Sequence, residues 1–309
     1  MPESIKIFAP ASVANVGCGY DTIGFAITGL GDEITVTKRD DEKLIVKEII
    51  GADLPLEADQ NVCTIGIQAM LNHLHSKQGF DITIKKLFKP GSGLGSSASS
   101  AAGGVFAVNE LLGNPLSKEA LLEFALEGEA FASKCYHADN VGPSLLGGFQ
   151  VIRSYDPLDT FKVPVPEALQ VLIIFPDVVI KTAESKALIP KVLDIKTARD
   201  QWSNVAGLIH ALHTADYELL KQSIVDYVAE PVRSGMIPGY DEVKKIVFDH
   251  SAVGFNISGS GPSMFALFND DHKIAAAEKD IKKLYQSKKL NLILHRAKLN
   301  NEGCQVIGL

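Results

Sequence analysis

The spacing of apolar positions divides the chain into short strands and amphipathic helices. Ile5, Ile7 and Phe8 predict an opening strand, and further strands are expected at 34–36 and 44–50, joined by a charged turn at 38–43. From 61 to 75, Val62, Ile65, Ala69, Met70 and Leu74 recur at helical intervals. Ile82 and Ile84 alternate with polar residues and predict a strand over 81–88. That strand leads into a glycine- and serine-rich loop, then an alanine-rich helix over 97–112 with Gly113 as its stop. A second helix is expected at 118–134, a loop at 137–148 and the start of a strand at 149–152.

Pro157, Pro164 and Pro166 punctuate the next stretch and mark the expected boundary between an N-terminal domain, 1–160, and a C-terminal domain, 161–309. Beyond it the pattern predicts a buried strand at 171–175 and helices at 198–213 and 217–227. Strands at 254–257 and 264–268 flank a second Gly/Ser turn; a helix at 272–288 and a strand at 290–296 follow. Helices and strands mix without strict βα alternation, so the α+β class is expected, not a doubly wound sheet.

Composition narrows the function classes. A chain of 309 residues suits two domains or one large one. Its 46% hydrophobic and 22% charged residues are those of an ordinary globular protein. The net charge of −7 argues against non-specific nucleic-acid binding, which needs a basic surface, but leaves room for a local basic pocket. Cys18, Cys63, Cys135 and Cys304 form no CxxC pair or zinc-ligand spacing and read as reduced thiols of a cytoplasmic protein. The N-terminal segment lacks the apolar core of a signal peptide. The longest obvious apolar run, 171–175, is far too short for a membrane helix, so no membrane partner is expected.

The run Pro90-Gly91-Ser92-Gly93-Leu94-Gly95-Ser96-Ser97-Ala98 lies between a predicted strand and a predicted helix. Glycines allow close backbone approach, and the helix start offers free N–H groups and the positive end of a dipole. Together they make an anion site, with phosphate as the usual anion. Ser96 and Ser97 can cap the helix, contact phosphate oxygens or hold a metal ion. The run is not GxxxxGK[ST], because no lysine follows its last glycine, and strict GxGxxG fails at Ser96. Gly103 and Gly104 within the helix would let it pack closely on another backbone.

GSGLGSSA resembles the central motif of the GHMP kinases. Ala9–Asp21 (APASVANVGCGYD) and Ile257–Ser263 (ISGSGPS) are similar to that family's first and third motifs, in the right order. HADNVGPSLLGG, KTAESKALIP and AEPVRSGMIPGY further resemble the branch that phosphorylates L-homoserine, a step of threonine biosynthesis. The resemblance implies a ribosomal protein S5 domain 2-like N-terminal domain, a ferredoxin-like C-terminal domain, ATP and Mg2+, and a homodimer. It assigns nucleotide contacts to Asn61, Lys89, Pro90, Gly91, Ser92, Gly93, Leu94, Gly95, Ser96, Ser97, Ala98 and Ser99, and the metal to Ser97 and Glu129.

Homoserine is a zwitterion bearing a hydroxyl, so its site needs an anion for the ammonium and a cation for the carboxylate. Asp21 and Asp139 are the candidate anions, and Arg233 is the best cation because guanidinium can hold a carboxylate through two bonds. Lys186 stands where the branch usually carries arginine; it keeps the charge and loses the fork. Asn15 and His137 can orient the remaining polar groups. Mevalonate-type acceptors carry no ammonium and would gain nothing from two acids. Where relatives place an aspartate as candidate base, this chain carries Asn140, and an amide is no base. Asn140 and Thr182 are therefore expected to position the hydroxyl, whose proton leaves late to phosphate.

Overall fold

The structure, a computed structural model, describes residues 2–133 and 136–308. It opens with a long antiparallel hairpin of β1 (Ser4–Val16) and β2 (Gly19–Arg39). β3 (Leu44–Ile50) leads through α1 (Val62–His73) to β4 (Gly79–Lys86), which pairs with β2 on one side and, in parallel, with β3 on the other. The charged turn at 38–43 thus joins two strands that do not pair. α2 (Ser96–Leu111), α3 (Leu121–Ser133) and α4 (Ala138–Leu146) follow, then β5 (Phe149–Tyr155) and β6 (Leu158–Val163). β5 pairs with both β2 and β6.

The second sheet begins with β7 (Gln170–Pro176). The helices α5 (Thr182–Ala187), α6 (Ile195–Thr214), α7 (Tyr217–Ser223), α8 (Glu230–Arg233) and α9 (Tyr240–Asp249) precede its next strand. β8 (Gly254–Ile257), β9 (Met264–Phe268), α10 (Asp271–Ser287) and β10 (Leu292–Lys298) complete it. The order β10-β7-β9-β8, antiparallel throughout, places the sheet's fourth, first, third and second strands side by side, the ferredoxin-like arrangement. β11 (Gln305–Gly308) then returns to the first sheet and pairs with β1.

Three apolar clusters hold these layers. Ile7, Ile34, Phe80 and Val105 pack the first sheet against its helices. Leu172, Val243, Phe268 and Ile281 fill the second sheet's outer face. Between them Val13 and Phe25 meet Val171 and Phe265, so the two sheets share an interior. Phe25 stacks on Phe149 at 5.9 Å and meets Phe265 edge-on at 5.7 Å. Gly103 and Gly104 do serve close packing: a Cβ on the first would crowd Ile34 and Ala9, and one on the second would strike Cys63.

One expectation is overturned. The loop predicted at 137–148 is helical from 138 to 146. Gly142 and Pro143 read as breakers, but Ala138, Val141 and Leu145 bury one face in the first core, and that burial outweighs the single bond Pro143 cannot make. Pro157 sits in the β5–β6 turn, so β6 lies within the stretch read as a linker. Short α5, α8, β6 and β11 carried too little pattern to be predicted, whereas α9 was missed although Tyr240, Val243 and Val247 recur at helical spacing. The helix expected at 118–134 begins at Leu121, and Lys134 and Cys135 lie outside the described residues. Cys18, Cys63 and Cys304 are buried free thiols; burial first of all pushes each to about 12, so they are protonated at neutral pH. Among the described residues, no helix is long and apolar enough to cross a membrane.

Candidate active site

The three Gly/Ser-bearing segments converge. Ser12 N–H donates to the Leu94 carbonyl at 3.1 Å, tying β1 to the central loop. Ser258 Oγ donates to the Gly93 carbonyl at 2.7 Å and Ser263 N–H to the Ser92 carbonyl at 3.1 Å, tying the β8–β9 turn to the other side. The loop is clamped so closely that only glycine fits: Gly93 has φ 85, and a Cβ there would lie 2.6 Å from the Ser258 carbonyl. Gly95, φ 68, caps α2 without a side-chain bond, so the N–H groups of its first turn stay open. Neither Ser96 nor Ser97 occupies the cap, and both face the cleft.

That cleft, about 440 Å³, is lined by the central loop and α2 together with Thr182, Lys186, Arg233, Gly259 and Ser260 from the second half of the chain. Of the residues expected at the nucleotide, Asn61, Pro90, Gly91, Gly93, Gly95, Ser96 and Ser97 line it. Lys89, Ser92, Leu94, Ala98 and Ser99 do not line it. Lys89 pairs with Asp177 at 2.6 Å, Leu94 and Ala98 are buried in the core, and Ser99 Oγ bonds the Ser96 carbonyl at 3.1 Å. Leu54, Pro55, Val62 and Phe131 give the cleft an apolar wall that sequence reading missed.

The pattern along β4 also concealed Lys86. Its Nζ is buried, 2.7 Å from Asp32, 2.7 Å from Ser100 Oγ and 2.6 Å from the Ser96 carbonyl. A buried lysine needs such partners. Here they fix the first turn of α2 from below while Lys86 lines the cleft floor. The sequence signal was available: Lys86 sits at an inward position of an alternating strand, where a charge is costly unless paired.

All the other expected site residues line the same cleft: Asn15, Asp21, Glu129, His137, Asp139, Asn140, Thr182, Lys186 and Arg233. Asn15 and Asp21 both adopt left-handed backbone, φ 55 and 53, a region that Asn and Asp enter more readily than other non-glycine residues. Asn15 N–H donates to Asp139 Oδ2 at 3.2 Å, and Asn15 Oδ1 accepts from Asp21 N–H at 2.7 Å. Asp139 is buried in the first turn of α4, its Oδ1 without a hydrogen-bond partner among the described residues. Burial first, then the Asp21 charge, push its carboxyl up to about 7. His137 Nδ1 lies 3.4 Å from Glu129 Oε1. Burial opposes a charge on this imidazole, but the Glu129 bond and the surrounding carboxylates outweigh it and raise its pKa.

Opposite the acids, Arg233 ends α8, nearly fully buried. Its Nη1 donates to the Gly259 carbonyl at 2.9 Å and its guanidinium lies over the Tyr20 ring at 5.5 Å. Thr182 Oγ1 and Ser260 Oγ are 3.4 Å apart at the cleft's edge. Ser12 Oγ donates to Asn140 Oδ1 at 3.0 Å, holding that amide beside Gly95. Among the described residues no three His, Cys, Asp or Glu side chains converge as a metal cage. Ser97 and Glu129, two oxygen donors facing one cleft, fit instead a magnesium ion that completes its shell with phosphate and water oxygens.

A ferredoxin-like half, a clamped glycine loop opening α2 and a cleft holding acids against a guanidinium define a small-molecule kinase of the GHMP type. Residues 61–148 match the family model for the GHMP kinases N-terminal domain, and residues 208–287 that for the GHMP kinases C-terminal domain. The homoserine kinase of Chloroherpeton thalassium is 42% identical over 288 residues, covering 89% of each chain. That of Methanococcus maripaludis is 37% identical, over 88% of this chain and 90% of its own. The crystal structure of homoserine kinase from Cytophaga hutchinsonii superposes with a TM-score of 0.96 at 43% identity, over 99% of this chain and 98% of that one. Mevalonate kinase of L. major shares the fold, with a TM-score of 0.72 at 17% identity over 98% and 97% of the two chains. The chain belongs to the homoserine kinase family of the GHMP kinases.

Proposed function

We propose that this chain transfers the γ-phosphoryl group of ATP to the hydroxyl of L-homoserine, giving O-phospho-L-homoserine and ADP. The observation that carries this reading is that one cleft holds the open α2 N-terminus, two acids and a buried guanidinium. The triphosphate lies on the clamped loop, its adenine towards Leu54, Pro55 and Phe131. The acceptor lies at the other end, its ammonium towards Asp21 and Asp139 and its carboxylate towards Arg233 and Lys186. The boundary, expected at 160 and set by the end of β6 just beyond it, separates the nucleotide-binding half from the half that supplies Thr182, Lys186 and Arg233.

Phosphoryl transfer asks for positioning and charge neutralisation more than covalent help. Ser97 and Glu129 would hold a magnesium ion, which would supply charge neutralisation at the phosphates. The backbone N–H groups of α2 and its dipole act on the same charge. Asn140, anchored by Ser12, orients the acceptor hydroxyl, and Thr182 stands beside it. An amide takes no proton at neutral pH, so the hydroxyl proton passes to phosphate as the new P–O bond forms. His137 bridges the metal-side and acceptor-side acids through Glu129 and the Asp139 charge.

The test is ADP release, coupled to NADH oxidation, with L-homoserine, mevalonate, L-serine and L-threonine offered separately. L-Homoserine is expected to give the highest kcat/KM and mevalonate essentially none. Release without added acceptor, or equal use of mevalonate, would refute the reading.

A further inference from the structure

Tyr155 ends β5 and lies outside the residues that line the cleft, yet its phenol reaches the acceptor end. Its Oη donates to the Asp21 backbone carbonyl at 3.0 Å. The phenol also lies near the Ala138 backbone in the first turn of α4, one residue before Asp139. Asp21 benefits from such holding, because its backbone stands at φ 53, which an aspartate tolerates better than most side chains but still less readily than the ordinary regions. Its N–H is held by Asn15 Oδ1 at 2.7 Å, and its carbonyl is held by Tyr155. Two strands therefore grip one residue from opposite ends. Burial and the Asp139 and Asp21 charges keep the phenol protonated, so it remains a donor at neutral pH.

We propose that Tyr155 is a positioning residue that fixes Asp21 relative to Asp139, and so sets the separation of the two carboxylates that receive the acceptor's ammonium. The inference rests on the reading of these acids as the ammonium site. An ammonium is a compact charge with three donors, and two carboxylates serve it only if both stay within hydrogen-bond reach. Releasing the Asp21 carbonyl lets that residue relax towards ordinary backbone and turns its side chain away. The nucleotide end, built on α1, β4 and the central loop, shares none of these bonds.

The experiment is steady-state kinetics of Tyr155→Phe, varying L-homoserine at saturating Mg-ATP and then the reverse. The KM for L-homoserine is expected to rise roughly five- to tenfold, as for loss of one hydrogen bond. The kcat and the KM for ATP should stay within about twofold, as expected for a change confined to one binding end. In an Asp21→Asn background, Tyr155→Phe should add less than about twofold, because the residue it positions has lost its charge. Tyr155→Leu, which also removes the hydroxyl, should raise the KM for L-homoserine by a similar factor and serves as the second variant should Tyr155→Phe fold poorly. An unchanged KM for L-homoserine, an equal rise in the KM for ATP, or the same effect with and without Asp21→Asn would overturn the proposal. Absence of L-homoserine turnover in the unmodified enzyme would instead overturn the acceptor reading beneath it.

Discussion

Replacing Asp139 by asparagine should make the ligand-free protein more stable while it damages the enzyme. The carboxyl is buried, keeps one oxygen without a hydrogen bond and is pushed from its ordinary 3.8 to about 7. The folded pKa is raised, so the folded chain holds its proton longer than the unfolded one. Below about pH 4 the group is neutral in both states and costs nothing. Between 3.8 and about 7 stability falls as pH rises, and above that the cost is constant. At about 1.36 kcal/mol per pH unit, this sets a ceiling of roughly 4 kcal/mol at pH 8 and about 2 kcal/mol at pH 5. Asp139→Asn removes the charge and keeps an oxygen for the Asn15 N–H, so it should recover up to those amounts. Urea denaturation of both proteins, without ligands, at pH 5 and pH 8 measures the difference. The same variant should lose at least tenfold in kcat/KM for L-homoserine, since a charge-assisted bond to the ammonium is worth about 1.5–3 kcal/mol. A variant less stable than wild type at pH 8, or stabilised equally at both pH values, would refute the reasoning.

Three further outcomes are expected. Glu129→Gln should shift the magnesium dependence of ADP release to higher concentration by at least tenfold, as for a lost carboxylate ligand; an unchanged magnesium titration would remove Glu129 from the metal. Asn140→Ala should lower kcat by roughly 10- to 100-fold with little change in the KM for ATP, since orientation of the acceptor is lost; a kcat near wild type would leave the hydroxyl to Thr182. Lys86→Met should cost about 3–5 kcal/mol in urea denaturation, because it strands the buried Asp32 charge, while Lys86→Met with Asp32→Leu should cost much less. Equal losses in the single and double variants would show that the ion pair is not what holds the loop floor.

The site was legible because its residues cluster in short polar stretches whose chemistry is local. Glycines next to a helix start can only be a turn or an anion site, and Asp21, Asp139 and Arg233 follow from the needs of a zwitterion. The inward position of Lys86 was a signal, but its partner was not legible: Asp32-Glu33 and Lys85-Lys86 are adjacent charges in the sequence, and only the pairing of β2 with β4 shows that Asp32 and Lys86 meet inside. Tyr155 was hidden for the same reason, its partner Asp21 being 134 residues away in the chain. The α4 helix was missed because Pro143 and Gly142 speak for a loop locally, and only burial of Ala138, Val141 and Leu145 overrides them.

By itself the sequence determined the α+β class, most helices, and the order of three glycine-bearing segments with their flanking acids. These depend on periodicity and backbone freedom, which act over a few residues. Only the tertiary structure decided that the segments clamp one another, that the serines of the loop are left open to the cleft, and which side chains stand together at each end of it. Those facts depend on strand pairing and on a core shared between two sheets, where residues far apart in the chain pay one joint desolvation cost.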